Sequence, residues 1–97
     1  MIAKSNYYVY TTTNPDKTAL YTSVTNDLKL RLQQHYRNRG NLKTFAGEYH
    51  CYELVYFEMY TDINQAIARE KEIKDWSREK KEALIATKNP KWNFLKL

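Results

Sequence analysis

Tyr7-Tyr8-Val9-Tyr10-Thr11-Thr12, Leu20-Tyr21-Thr22-Ser23-Val24 and Asn26-Asp27-Leu28-Lys29-Leu30-Arg31-Leu32-Gln33-Gln34-His35 decide the fold of this chain. The first two segments are dense in aromatic and β-branched residues, and Asn14-Pro15-Asp16 between them is turn chemistry, so they read as the strands of a hairpin. Side chains alternate along a strand. This puts Tyr8 and Tyr10 on one face of a strand over 7–12, and Tyr21 and Ser23 on one face of a strand over 19–24. The third segment reads as a helix from about Asn26 to Arg39, stopped by Gly40. Thr25, Asn26 or Asp27 can cap it, and Arg31 and His35, four apart, share one side.

Outward from that core, the stretch 41–49 shows no sustained period and reads as a loop with at most a turn of helix. Its Phe45 and Tyr49 either bind something or anchor the loop. Tyr52 to Met59 is apolar on both alternations, which predicts a central, covered strand. Asp62 and Gln65 resemble a capping box for a helix running to about Trp76, with an apolar stripe of Ile63, Ala66, Ile67, Ile73 and Trp76. Glu70 falls on that stripe. A carboxylate there is costly unless a cation, a tyrosine or a metal ion meets it. Arg69, Lys71 and Lys74 read as solvated, or as reaching phosphate from the helix's polar side. Ser77 opens a last helix that carries Ala83, Leu84 and Ile85 inward until Asn89-Pro90 ends it. Trp92 and Phe94 then cover a hydrophobic edge.

Composition narrows the class. The 97 residues suit a single domain over 1–97 with a small core. Nine Tyr, three Phe and two Trp exceed what such a core hides, so several rings belong at its boundary or in a groove. Sixteen Lys and Arg against eleven Asp and Glu leave a net charge of +5, which fits either a solvated surface or a polyanion partner. The most basic region comprises Lys29, Arg31, Arg37, Arg39 and Lys43. One cysteine excludes an internal disulfide and suits a reducing compartment. No apolar run reaches a membrane-spanning length, so a cytoplasmic protein without a membrane partner is expected.

Two strand tyrosines eleven residues apart, followed by Asn26-x-Leu28-x-x-Arg31-x-x-x-His35, resemble the core of the GIY-YIG nuclease family, in particular its small single-domain members. The resemblance continues through Leu54-Val55-Tyr56-Phe57-Glu58, Ala66-Ile67-Ala68-Arg69-Glu70-Lys71 and Asn89-Pro90-Lys91-Trp92-Asn93, from about Tyr7 to Leu95. It implies an α/β fold, a three-stranded, mainly antiparallel sheet flanked by helices. It also implies a metal-dependent endonuclease acting on DNA, including branched, damaged or single-stranded forms. A monomer or weak homodimer is expected, and no segment of the sequence marks a dimer.

Carried over residue by residue, the resemblance makes Tyr10 and Tyr21 the signature phenols and Arg31 the cation that balances charge on the phosphate. His35 or a tyrosine serves the attacking water, and Glu70 is the ligand of one Mg²⁺ or Mn²⁺. A phenol serves as base only where metal and cation lower its pKa. Asn26, Lys29, Arg37, Arg39 and Lys43 would meet DNA, with Asn93 at a polar position near the site. Two departures stand out: Tyr21-Thr22-Ser23 where the motif has Tyr-Ile-Gly, and Val24 where a cation often follows. Each residue also has a plain alternative. Arg31 can pair with Asp27, His35 can be a satisfied boundary histidine, and the tyrosines can be strand packing. Two other functions fit the same residues: a catalytically weak DNA-binding module of this fold, or an interaction domain with a tyrosine-rich groove for a protein partner.

Overall fold

In a computed structural model that describes residues 6–97, the chain turns first at Asn14. The Asn14 side-chain oxygen accepts from the amides of Thr18 and Ala19 at 2.8 and 3.0 Å, which closes the loop between strand β1 (Tyr7–Thr13) and strand β2 (Leu20–Thr25). The two pair antiparallel with Tyr10 opposite Ser23 and Thr12 opposite Tyr21, so the sequence alternation places Tyr10 and Tyr21 on one face, one diagonal step apart. A third strand, β3 (Glu53–Tyr60), pairs antiparallel on the other side of β1, and the sheet order is β2-β1-β3. The fold is thus a wholly antiparallel three-stranded sheet with helices on both faces.

β3 is an edge strand, not the central strand its apolar character suggests. Its two faces are covered, and its outer edge is closed by the chain's last segment. The Leu95 amide donates to the Leu54 carbonyl at 2.8 Å, and the Asn89 side chain donates to the Val55 carbonyl at 2.8 Å. The register skips Val55, a bulge that lets the successive residues Val55 and Tyr56 both join Ile85 in one cluster.

Helix α1 (Leu28–Arg37) starts at Asp27, whose carboxylate accepts from the Leu30 amide, and lies over the Tyr10 face through Leu28 and Leu32. It ends two residues before the expected limit, and Gly40 instead takes the left-handed turn that follows, with φ of 86°. A four-residue helix, α2 (Phe45–Glu48), sits in the irregular stretch with Thr44 as its cap. Helix α3 (Ile63–Lys74) packs on the opposite sheet face, where Ala66 and Ile73 meet Val9. Asp62 caps it as expected. Ile63, at the first turn, is exposed rather than part of the stripe and borders a hollow with Tyr7 and Val24. Helix α4 (Arg78–Lys88) begins at Ser77 and buries Ile85, with Leu84 partly covered and Ala83 left exposed on the other flank. Trp92 and Phe94 pack on the Ile85 cluster. Among the described residues no helix is long and apolar enough to cross a membrane.

Candidate active site

The pleat sends Tyr10 and Tyr21 toward α1, and one helical turn brings His35 down between them. The Tyr10 hydroxyl lies 2.7 Å from His35 Nε2, and the Tyr21 ring meets the imidazole edge-on at 5.4 Å between centroids. Arg31, a turn earlier, sits half-buried above both phenols. Its Nη1 donates to the Gln34 side-chain oxygen at 3.0 Å rather than to Asp27, whose carboxylate is occupied as the helix cap. Four of the five expected catalytic residues therefore share one face of the sheet.

Burial sets their charge states. His35 is almost fully buried, and that burial, with the Arg31 charge second, lowers its pKa to about 4 and keeps the imidazole neutral at pH 7. Tyr10 is fully buried, and its pKa rises to about 12 despite the opposing pull of Arg31 and of the Ser23 hydroxyl. The lowering expected of a phenolic base is absent at Tyr10, since losing water outweighs the neighbouring cation. Tyr21 and Arg31 remain partly accessible. Ser23, where the motif has glycine, stands directly across from Tyr10, so the extra hydroxyl becomes a polar neighbour of the buried phenol. Thr12, on the same face beside Tyr21, buries its hydroxyl without a partner among the described residues.

Glu70 arrives from the other side. It sits on α3, which covers the Val9 and Val24 face of the sheet, and not under α1 with the other four. Helical spacing turns it to the flank opposite Arg69, toward edge strand β2. Its carboxylate is largely covered and lies 3.6 Å from the Lys74 ammonium, itself 6.0 Å from the centre of the Tyr21 ring. Lys74 thus joins the acid to Tyr21 around the sheet edge and is not merely solvated. Nor is Arg69: its guanidinium grips Glu58 through Nε–Oε1 and Nη2–Oε2, each 3.0 Å, and also binds Glu72. Tyr56 and Tyr60 donate to the same Glu58 carboxylate. Burial would raise the Glu58 pKa, but these donors hold it at about 2. Sequence reading missed this network because its centre, Glu58, lies on β3, eleven residues before the arginine on α3.

No group of three His, Cys, Asp or Glu side chains capable of holding a metal occurs among the described residues. A lone carboxylate suits an ion that keeps most of its waters and shares substrate phosphate oxygens, as Mg²⁺ does. Glu70, poorly solvated and at a β-sheet edge, fits that donor role once Lys74 yields.

The expected DNA contacts scatter along α1 and beyond it. Asn26 and Lys29 border a hollow with Tyr8 and Phe57. Lys29 and Arg37 line a groove of about 390 Å³ between α1 and the chain's last residues. Arg39 stacks on Tyr36 with its guanidinium carbon 3.8 Å from the ring centre, and Lys43 stands exposed before α2. Asn93 belongs elsewhere. Its backbone is held by Asn89 at the outer edge of β3, where Asn89 Nδ2 donates to the Asn93 carbonyl at 2.9 Å. Phe45 and Tyr49 do not anchor into the core but remain half exposed, with Phe45 stacked on Tyr21.

Two phenols on an antiparallel three-stranded sheet thus meet a guanidinium and an imidazole from the helix above it, in a small α/β fold. The family model described as the GIY-YIG catalytic domain matches residues 6–83, and the chain belongs to the GIY-YIG family. It is similar to a UPF0213 protein of Haloquadratum walsbyi, 36% identical over 78 residues that cover 80% of this chain and 84% of that one. A UPF0213 protein of Staphylococcus aureus is 39% identical over 67 residues, 69% of this chain and 79% of that one. The solution NMR structure of a UPF0213 protein from Bacillus halodurans superposes with a TM-score of 0.56 at 31% identity, covering 90% of this chain and 89% of that one.

Proposed function

We propose that the protein is an endonuclease that hydrolyses phosphodiester bonds in DNA with the help of one divalent ion, Mg²⁺ or Mn²⁺. The observation that carries this reading is the meeting of Tyr10, Tyr21, Arg31 and His35 on one sheet face, with the Tyr10 hydroxyl 2.7 Å from His35 Nε2.

Hydrolysis adds water to phosphorus, breaks one P–O ester bond, and needs positive charge on the non-bridging oxygens as it does so. Arg31, permanently charged and partly accessible, fills that need. Tyr21, the less buried phenol, meets the attacking water. Tyr10 and His35, with little or no solvent exposure, hold the floor of the site, and the neutral imidazole is a proton acceptor already coupled to a phenol. Glu70 would hold the divalent ion, which supplies Lewis-acid charge to the phosphate and the departing oxygen. Lys29, Arg37, Arg39 and Lys43 neutralise phosphates of the strand on either side, and the Asn26 amide donates to one.

Cleavage of plasmid, branched and single-stranded DNA in Mn²⁺ tests the proposal. Arg31→Ala is expected to slow cleavage by about 10²-fold or more, and Glu70→Ala to abolish the metal response. Cleavage indifferent to both substitutions would remove the assignment. The Glu70–Lys74 ion pair favours a second reading, a DNA-binding module with little turnover. Salt-dependent DNA affinity without nicking by concentrated protein would select it.

A further inference from the structure

Phe45 opens α2 and Tyr49 caps its end, and the two are 50% and 46% exposed, an unusual standing for two rings on so short an element. They are not what holds that helix in place. Ala46 and Gly47 face inward, the Cys51 amide donates to the Ala46 carbonyl at 2.8 Å, and the Gly40 amide donates to the Gly47 carbonyl at 2.8 Å. The backbone fixes α2 and leaves both rings presented to solvent. They are arranged, too: their centroids are 4.6 Å apart, and Phe45 stacks on Tyr21 at 6.3 Å with only 21° between planes. Tyr21 in turn meets His35, so an aromatic series runs from the buried site to the surface.

Beside the exposed end of that series lies a cavity of about 500 Å³, lined by Phe45, Tyr49, Arg78 and Lys81 among others. Lys81 forms no ion pair among the described residues, whereas Arg78 is held by Glu82 and by the Thr18 carbonyl. Flat apolar faces next to a free cation complement a base and its phosphate. A base inside a duplex is already stacked on both sides and offers only its edges, so the ring faces suit a base that has left its stack.

We propose that Phe45 and Tyr49 form a stacking subsite for an unpaired base of a DNA strand, with Lys81 receiving the adjoining phosphate. The subsite rests on the nuclease reading for its partner and makes that partner single-stranded or locally unpaired DNA. It places the unpaired nucleotide next to Tyr21, so the cut falls beside an unstacked base.

The test is binding of a short single-stranded oligonucleotide containing 2-aminopurine, and of the matching blunt duplex, to the full chain at low salt, with cleavage followed separately. Wild-type protein is expected to quench 2-aminopurine and to prefer the single strand. Phe45→Ala and Tyr49→Ala are each expected to lose about ten-fold or more in single-strand affinity together with the quench. Lys81→Met is expected to flatten the salt dependence. Phe45→Trp, which keeps a ring, is expected to retain binding, and this separates stacking from a folding defect. Equal affinity of wild type and the alanine variants, absence of quenching, or preference for the duplex would each overturn the subsite. Cleavage that survives those results leaves the nuclease reading standing. Quenching that depends on Phe45 without any cleavage leaves the subsite standing and removes the nuclease.

Discussion

The Tyr10 hydroxyl and His35 Nε2 lie 2.7 Å apart although 25 residues separate them in the chain, and both groups are buried. Burial, with the Arg31 charge second, favours the neutral form of the imidazole. The bond therefore ties the state of the site to acidity.

That tie has a definite sign. The folded pKa of His35, about 4, lies below the ordinary value of 6.5, so between these pH values the unfolded chain takes a proton that the folded protein refuses. The stability owed to neutral His35 is complete above pH 6.5 and is lost as pH falls toward 4, on the order of 3 kcal/mol in all. Urea unfolding at pH 7.5, 6, 5 and 4 should show the decline, and His35→Gln should lack it. The depressed Glu58 acts in the same direction but lower down, between the ordinary carboxyl range and about pH 2, so the two windows separate. In an NMR titration the His35 ring should still be neutral at pH 5.5.

Ser23 faces Tyr10 across the β1–β2 ladder, and its hydroxyl favours the ionised form of that phenol. Removing it with Ser23→Gly should push the Tyr10 pKa further up, as read from ¹³Cζ-labelled tyrosine. The added backbone freedom of glycine in an edge strand should also cost about 0.5–1 kcal/mol of stability. A shift in the opposite direction would show that the hydroxyl points away from the phenol.

The hairpin and α1 were legible because their determinants are local: an Asn turn, alternating tyrosines, a capping Asp27, and Arg31 and His35 one turn apart. So was the meeting of Tyr10 with Tyr21, since alternation plus antiparallel pairing leaves few registers. The position of Glu70 was less so. Periodicity placed it on the buried stripe of α3, but which sheet face that stripe covers depends on how the chain crosses after β3, and nothing within the helix records it. β3 misled for a similar reason: an apolar strand reads as central, whereas here the residues around Asn89 and Leu95 close its edge. Tyr56, Glu58, Tyr60 and Arg69 assemble across two elements, and no spacing along one element announces them.

Arg69 should matter to stability far more than its neighbours on α3. Its two-pronged contact with Glu58 is mostly shielded from water, and removing the guanidinium leaves a carboxylate with only Tyr56 and Tyr60 to satisfy it. Arg69→Ala should cost about 2–3 kcal/mol in thermal or urea unfolding, less than for a fully buried pair because the arginine retains some exposure. Arg69→Lys should recover only part of it, since an ammonium cannot reproduce the fork. Lys71→Ala, on the exposed flank, should stay within about 0.5 kcal/mol. Because α3 also carries Glu70, Arg69→Ala should weaken any metal response beyond what the stability loss explains.

Gly47 gives the sharpest steric test of how α2 is held. A Cβ there would stand 2.5 Å from the Asn41 carbonyl oxygen and 2.8 Å from that of Asn38, both backbone atoms that cannot rotate aside. Its backbone is ordinary helix, so the requirement is for space and not for an unusual φ. Gly47→Ala must push α2 away from the loop after α1, at a cost of about 2–3 kcal/mol. Gly40 poses the opposite case: a Cβ there would find its nearest neighbour at 3.7 Å, but φ of 86° strains any other residue, and Gly40→Ala should cost about 1–2 kcal/mol. Thermal unfolding of the two variants measures both costs. Gly47→Ala should in addition tilt Phe45 off Tyr21, so its 2-aminopurine quench should fall even below the unfolding transition. Gly40→Ala, which leaves the packing of α2 intact, should keep that quench; equal loss in both variants would mean that α2 is held by the loop as a whole and not by the close approach at Gly47.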